Sequence, residues 1–103
     1  MKKETPWYIQ QSPKLGSAYQ HFRNIANAES VLDPKTRELL MVALSSVLRC
    51  PHCVEDHILR AQEVGATKPE ITEALLIAAF EGAGTQLAWR KEVFSRLLGE
   101  PES

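Results

Sequence analysis

The sequence predicts an all-α fold, a single compact domain of about five helices. Apolar residues recur at three- and four-residue steps through most of the chain, and no stretch requires a strand. Proline follows a start signal at Ser12-Pro13, Asp33-Pro34 and Cys50-Pro51. A length of 103 residues fits one domain and leaves little room for a second.

Residues 1–12, with Trp7, Tyr8 and Gln10-Gln11-Ser12, show no sustained period and are read as an N-terminal arm; residues 13–103 are read as the helical domain. The first helix runs from Pro13 to about Ser30 through Leu15, Tyr19, Phe22, Ile25 and Ala26, with Ser12 as its N-cap. Asp33-Pro34 starts the second, in which Leu39, Leu40, Ala43, Leu44 and Val47 recur to about Leu48. Pro51 cannot continue a helix but suits a new first turn, so a third helix begins there, carries Ile58, Leu59, Ala61 and Val64, and stops at Gly65. Cys50 then lies at or beside its N-cap.

Thr67 and Glu70 have the spacing of a capping box and open a fourth helix through Ile71, Ala74, Leu75, Ala78 and Ala79, which Gly82 and Gly84 are expected to end or kink. A last helix from about Thr85 carries Leu87, Ala88, Trp89, Val93, Phe94, Leu97 and Leu98 before Gly99 and Pro101. The stretch Ala74 to Phe80 is apolar around its whole circumference. A surface helix of so small a domain keeps a polar face, so this one either lies at the domain centre or meets another subunit. An oligomer is the favoured expectation.

Composition excludes several classes. Lys plus Arg count 12 against 13 for Asp plus Glu, so no positive field recommends the protein to nucleic acid or to anionic lipid. The longest apolar run is far shorter than the roughly 20 residues needed to cross a bilayer, and no apolar signal core follows Met1-Lys2-Lys3. A cytoplasmic chain is expected.

The two cysteines are too few for a secreted disulfide framework, yet they stand as Cys50-Pro51-His52-Cys53, a spacing suited to redox or metal chemistry. On one helix Cys50, Cys53 and His57 fall at about 0°, 300° and 340°, within a sector of roughly 60°. Both sulfurs and one imidazole share a face. The open N–H groups and positive dipole end of a helix start favour a thiolate, and an unassisted cysteine thiol, with a pKa near 8.5, is only a few per cent ionised at neutral pH. His57, four residues beyond Cys53, is the natural proton acceptor for that sulfur. Glu38, in the first turn of the second helix and twelve positions before Cys50, reaches His57 if the second and third helices pack antiparallel, and would fix the imidazole tautomer.

Glu38, eleven residues, Cys50-Pro51-His52-Cys53, three residues and His57 reproduce the E-x11-C-x-x-C-x3-H signature. With the segment Asp33 to about Phe94, some sixty of the 103 residues, the chain resembles the alkyl hydroperoxidase D-like branch of the carboxymuconolactone decarboxylase superfamily. The resemblance implies an all-α fold assembled as a homotrimer or homohexamer. It implies an antioxidant thiol-dependent peroxidase or disulfide oxidoreductase that acts on a hydroperoxide or a protein disulfide, draws on a dithiol electron donor and needs no cofactor or metal. Glu38 and His57 would be the proton relay and Cys50 and Cys53 the redox pair. Cys53, the sulfur beside His57, is assigned as the peroxide nucleophile and Cys50 as its resolving partner, against a helix dipole that favours Cys50 as the more acidic thiol. The decarboxylase branch lacks paired cysteines, so this sequence departs from it.

Blander readings compete. The pair could be two buried thiols, or Cys50, Cys53 and His57 could hold zinc with Glu38 or His21, giving a non-enzymatic zinc-binding or redox-sensing module. No second knuckle of ligands accompanies them. The Cys-Pro-His-Cys tetrapeptide is shared with thiol oxidants of thioredoxin fold, where it follows a strand; here it follows a helical period. Glu38 could be a solvated acid complementing the dipole, and His21 and His52 surface histidines.

Overall fold

The computed structural model describes residues 4–99, and among them there are six helices and no strand. Residues 1–3 of the expected arm and Pro101 lie outside the described residues. Contacts divide the chain into two units between Leu32 and Asp33.

In the first unit α1 (Trp7–Gln11) packs on α2 (Pro13–Ala28). The arm is therefore helical over five residues, too short a stretch for periodicity to reveal. Gly16 permits the close approach: a Cβ there would stand 2.5 Å from the Tyr8 carbonyl oxygen. The Tyr8 and Tyr19 rings meet edge to face at 5.2 Å between centroids, and the Tyr8 hydroxyl donates to Gln20. Ser12 occupies the N-cap position of α2, but its side chain makes no cap hydrogen bond. Its backbone is committed to closing α1, where its N–H donates to the Tyr8 carbonyl at 2.9 Å.

The second unit contains α3 (Pro34–Val47), α4 (Pro51–Glu63), α5 (Lys68–Ala88) and α6 (Lys91–Leu98), with α3 packed against both α4 and α5. The start of α3 is capped as expected, Asp33 Oδ2 accepting from the Thr36 N–H at 3.0 Å. At α5 the capping box is complete: Glu70 N–H donates to Thr67 Oγ1 at 3.2 Å, and Thr67 N–H to Glu70 Oε1 at 2.9 Å. The other oxygen of Glu70 takes the Lys35 ammonium at 2.7 Å, tying the start of α3 to the start of α5.

α5 does not end at Gly82 or Gly84 but continues as helix to Ala88, so the last helix starts at Lys91 rather than near Thr85. Neither glycine has a neighbour that a Cβ would meet, and a helical glycine costs only about 1 kcal/mol against alanine, too little to interrupt 21 residues of helix.

α3 and α4 both end in a Schellman motif. After α4, Gly65 at φ 95° lets its own N–H reach the Gln62 carbonyl and that of Ala66 reach Ala61. After α3 the same pair of bonds runs from Arg49 to Ser46 and from Cys50 to Ser45, and the left-handed residue, at φ 57°, is Arg49.

The buried core is Val42, Ala61, Ala66 and Ile71, flanked by Leu39, Val54, Ile58 and Leu75. Val42, fully buried, contributes roughly 2 kcal/mol. α3 carries two apolar stripes: Leu39 and Val42 face this core, while Leu40, Leu44 and Val47 stay exposed. Of the two places considered for Ala74 to Phe80, the centre of the domain is not the one it takes within a single chain, since Leu76, Ile77 and Phe80 are open to solvent, Phe80 at 79%. No helix among the described residues is long and apolar enough to cross a membrane.

Candidate redox site

Cys50 is the N-cap residue of α4, with extended backbone and no side-chain cap hydrogen bond, and Pro51 supplies the first helical position. The Cys50 carbonyl accepts from the Val54 N–H at 3.0 Å, which begins the helix. Cys53 comes round one turn later and is joined to Cys50 in a disulfide, with the Cα atoms 5.2 Å apart. Both cysteines are half-buried.

His57 is one further turn along the same helix. Its Nδ1 lies 2.6 Å from Oε2 of Glu38, the two side chains being 12% and 15% exposed. Glu38 is the fifth residue of α3 and not, as expected, in its first turn. Past the first turn, Glu38 is not placed as a dipole-complementing acid. Its carboxylate is turned to the α4 side of the packed pair, where it holds an imidazole largely shielded from water. An ionised carboxylate at Nδ1 orients the N–H of the neutral ring there and leaves Nε2 to accept a proton.

His21 lies on α2 and His52 is exposed on the first turn of α4. His52 does not join the Glu38–His57 contact. Among the described residues no group of three or more His, Cys, Asp and Glu side chains is arranged to hold a metal ion. A disulfide-bonded sulfur pair also offers no thiolate ligand.

A hollow of about 280 Å³ opens on Cys50, lined by Ser45, Ser46, Arg49, Pro51 and Val54. Sequence reasoning passed over Ser45 and Arg49. The only signal for Arg49 was a cation placed directly before Cys50, and its left-handed backbone has no sequence mark when the residue is not glycine.

Residues 13–94 match the carboxymuconolactone decarboxylase family. The chain is 35% identical over 74 residues to a Paracoccus denitrificans protein described as uncharacterized protein 4 in cox locus, a match covering 72% of this chain and 67% of that one. A second similarity, to an uncharacterized protein of Haemophilus influenzae, is 43% identical over 47 residues and spans 46% of this chain and 42% of that protein. A crystal structure of a protein from Methanobacterium thermoautotrophicum superposes with a TM-score of 0.70 at 29% identity, over 84% of this chain and 98% of that one.

Proposed function

The chain belongs to the carboxymuconolactone decarboxylase family, and on that premise we propose that it is a thiol-dependent peroxidase or disulfide oxidoreductase of the alkyl hydroperoxidase D-like branch. Cys50 and Cys53 cycle between dithiol and disulfide, and Glu38 and His57 relay the proton. The observation that carries this reading is the 2.6 Å contact between Glu38 and His57, held one turn beyond a cysteine already paired with its neighbour.

In the reduced protein His57 takes the Cys53 proton and the resulting thiolate attacks the terminal oxygen of a hydroperoxide. The O–O bond breaks, the alkoxide leaves as alcohol with the proton returned by His57, and Cys53 is left as a sulfenic acid. The Cys50 sulfur then displaces water from Cys53, forming the disulfide. A dithiol donor resets the pair by two thiol–disulfide exchanges. A protein disulfide can replace the peroxide as oxidant by the same exchange chemistry. Dependence on a thiol donor pool makes a cytoplasmic setting part of this reading.

Assembly belongs to it as well. Exposed Leu40, Leu44 and Val47 on α3 and Leu76, Ile77 and Phe80 on α5 are more apolar surface than an isolated small domain keeps in water, which supports a homotrimer or homohexamer. The zinc-module alternative has no such observation in its favour. Consumption of a panel of hydroperoxides with the dithiol donor varied is the experiment that tests the function. Turnover that requires both cysteines is expected; one tightly held zinc per chain with no free thiols would contradict it.

A further inference from the structure

The strained residue beside the disulfide has no structural need to be arginine. Two helices of this chain end in the same Schellman motif, and at α4 the left-handed position is filled by Gly65, which carries no Cβ penalty. At α3 it is filled by Arg49, where a non-glycine residue costs stability. Arg49 is exposed, and no carboxylate among the described residues pairs with it. Its side chain lines the hollow on Cys50 and a second one of about 440 Å³ toward α5.

Ser45 supplies an independent observation. It is 7% exposed and lines the hollow on Cys50. A hydroxyl in the wall of a hollow can donate to, or accept from, a molecule that enters it.

We propose that the hollow on Cys50 receives the thiol reductant, that Arg49 selects a reductant bearing a carboxylate, and that Ser45 hydrogen-bonds the entering molecule. This rests on the redox reading above. The donor thiolate attacks Cys50 Sγ and the Cys50–Cys53 bond breaks. The Cys53 sulfur leaves with the bonding pair and takes a proton, while the donor is held as a mixed disulfide on Cys50. A second donor thiolate attacks the donor sulfur of that mixed disulfide, releases Cys50 as thiolate and then thiol, and departs as the donor disulfide. Two electrons pass from two donor thiols to the pair. The guanidinium fork, one residue from the attacked sulfur, meets the carboxylate while its thiolate is in line.

The test is the rate of reduction of the oxidised protein by mercaptoacetate and by mercaptoacetamide, which differ in the carboxylate. Each rate is expressed per thiolate, because nucleophilicity follows thiol pKa. Arg49→Gly, Arg49→Lys and Ser45→Ala are compared with the parent. The parent is expected to favour mercaptoacetate by roughly twofold to fivefold at low salt, the range of one favourable exposed ion pair. Arg49→Gly is expected to bring the ratio to about one with a melting temperature at or above the parent's, Arg49→Lys to keep part of the preference, and Ser45→Ala to slow both thiols. A purely structural role for Arg49 would move both rates together and leave the ratio in place. Equal rates in the parent, or a preference that survives Arg49→Gly, would overturn the assignment of Arg49 while the redox reading stands. A disulfide opened by neither thiol would overturn the assignment of Arg49 and Ser45, and one that dithiothreitol also leaves closed would overturn the redox reading with it.

Discussion

The imidazole of His57 and the carboxylate of Glu38 approach to 2.6 Å from two helices, 19 positions apart in sequence, and the contact is largely screened from solvent. Because Nδ1 is occupied by the carboxylate, the ring offers its other nitrogen for proton transfer on the helix that carries both cysteines. Replacing the charge without changing the shape isolates this role. Glu38→Gln should lower the rate of hydroperoxide-driven disulfide formation by about a hundredfold, in the range typical of a lost acid–base group, with the helical circular dichroism intact. Stopped-flow oxidation at parental rate in Glu38→Gln would remove the relay.

The division of labour between the sulfurs can be read chemically. Cys53→Ser should consume no hydroperoxide. Cys50→Ser should react once and stop at a sulfenic acid on Cys53, which a dimedone adduct located by peptide mass spectrometry would reveal. An adduct on Cys50 in Cys53→Ser would reverse the assignment.

The exposed stripes of α3 and α5 give a prediction about mass. Light scattering should find an assembly several times the 11.5 kDa of one chain, and Leu44→Glu with Phe80→Glu should drive it toward single chains by burying unpaired charge in the contact. A parent that scatters as one chain would contradict the assembly.

Acid should weaken the second unit at the helix starts. The Lys35 ammonium, and then the Thr67 N–H, hold the Glu70 carboxyl below its ordinary 4.5, and the Thr36 hydroxyl and N–H hold Asp33 below 3.8. Both folded values are depressed, so these groups contribute stability above the unfolded-chain values and lose it as pH falls through the folded ones. Lys35, raised above 10.5 chiefly by its hydrogen bond to Glu70, contributes below that value and loses its contribution as pH rises through the folded one. Glu70→Gln should be less stable than the parent near neutrality, and urea titrations should show the gap closing as pH falls to about 2. A gap independent of pH would mean that the Glu70 charge is not what ties α3 to α5.

The starts of α3 and α5 were legible because proline and cap residues act locally: Asp33, Thr67 and Glu70 make the bonds their spacing implies. The reach from Glu38 to His57 was legible as a possibility, since a short connection between α3 and α4 makes the two helices neighbours. Less could be read where the decision is made at a distance. Leu40, Leu44 and Val47 look like core residues on any helical wheel, yet only packing partners determine which of two apolar stripes is covered. Gly82 and Gly84 carry a breaker's signal too weak to stop α5, and α1 is shorter than any period. The hollow on Cys50 depends on a backbone conformation at Arg49 that side-chain identity does not announce.

In the proposed reaction one pair of cysteines takes up the oxidising equivalents of a hydroperoxide. Fully reduced protein titrated with cumene hydroperoxide, with free thiols counted and peptides mapped at each addition, tests it directly. Each equivalent of hydroperoxide should remove two thiols and yield the Cys50–Cys53 disulfide, with the reaction slowed in Glu38→Gln; hydroperoxide left unconsumed beside two intact thiols would rule out the peroxidase reaction.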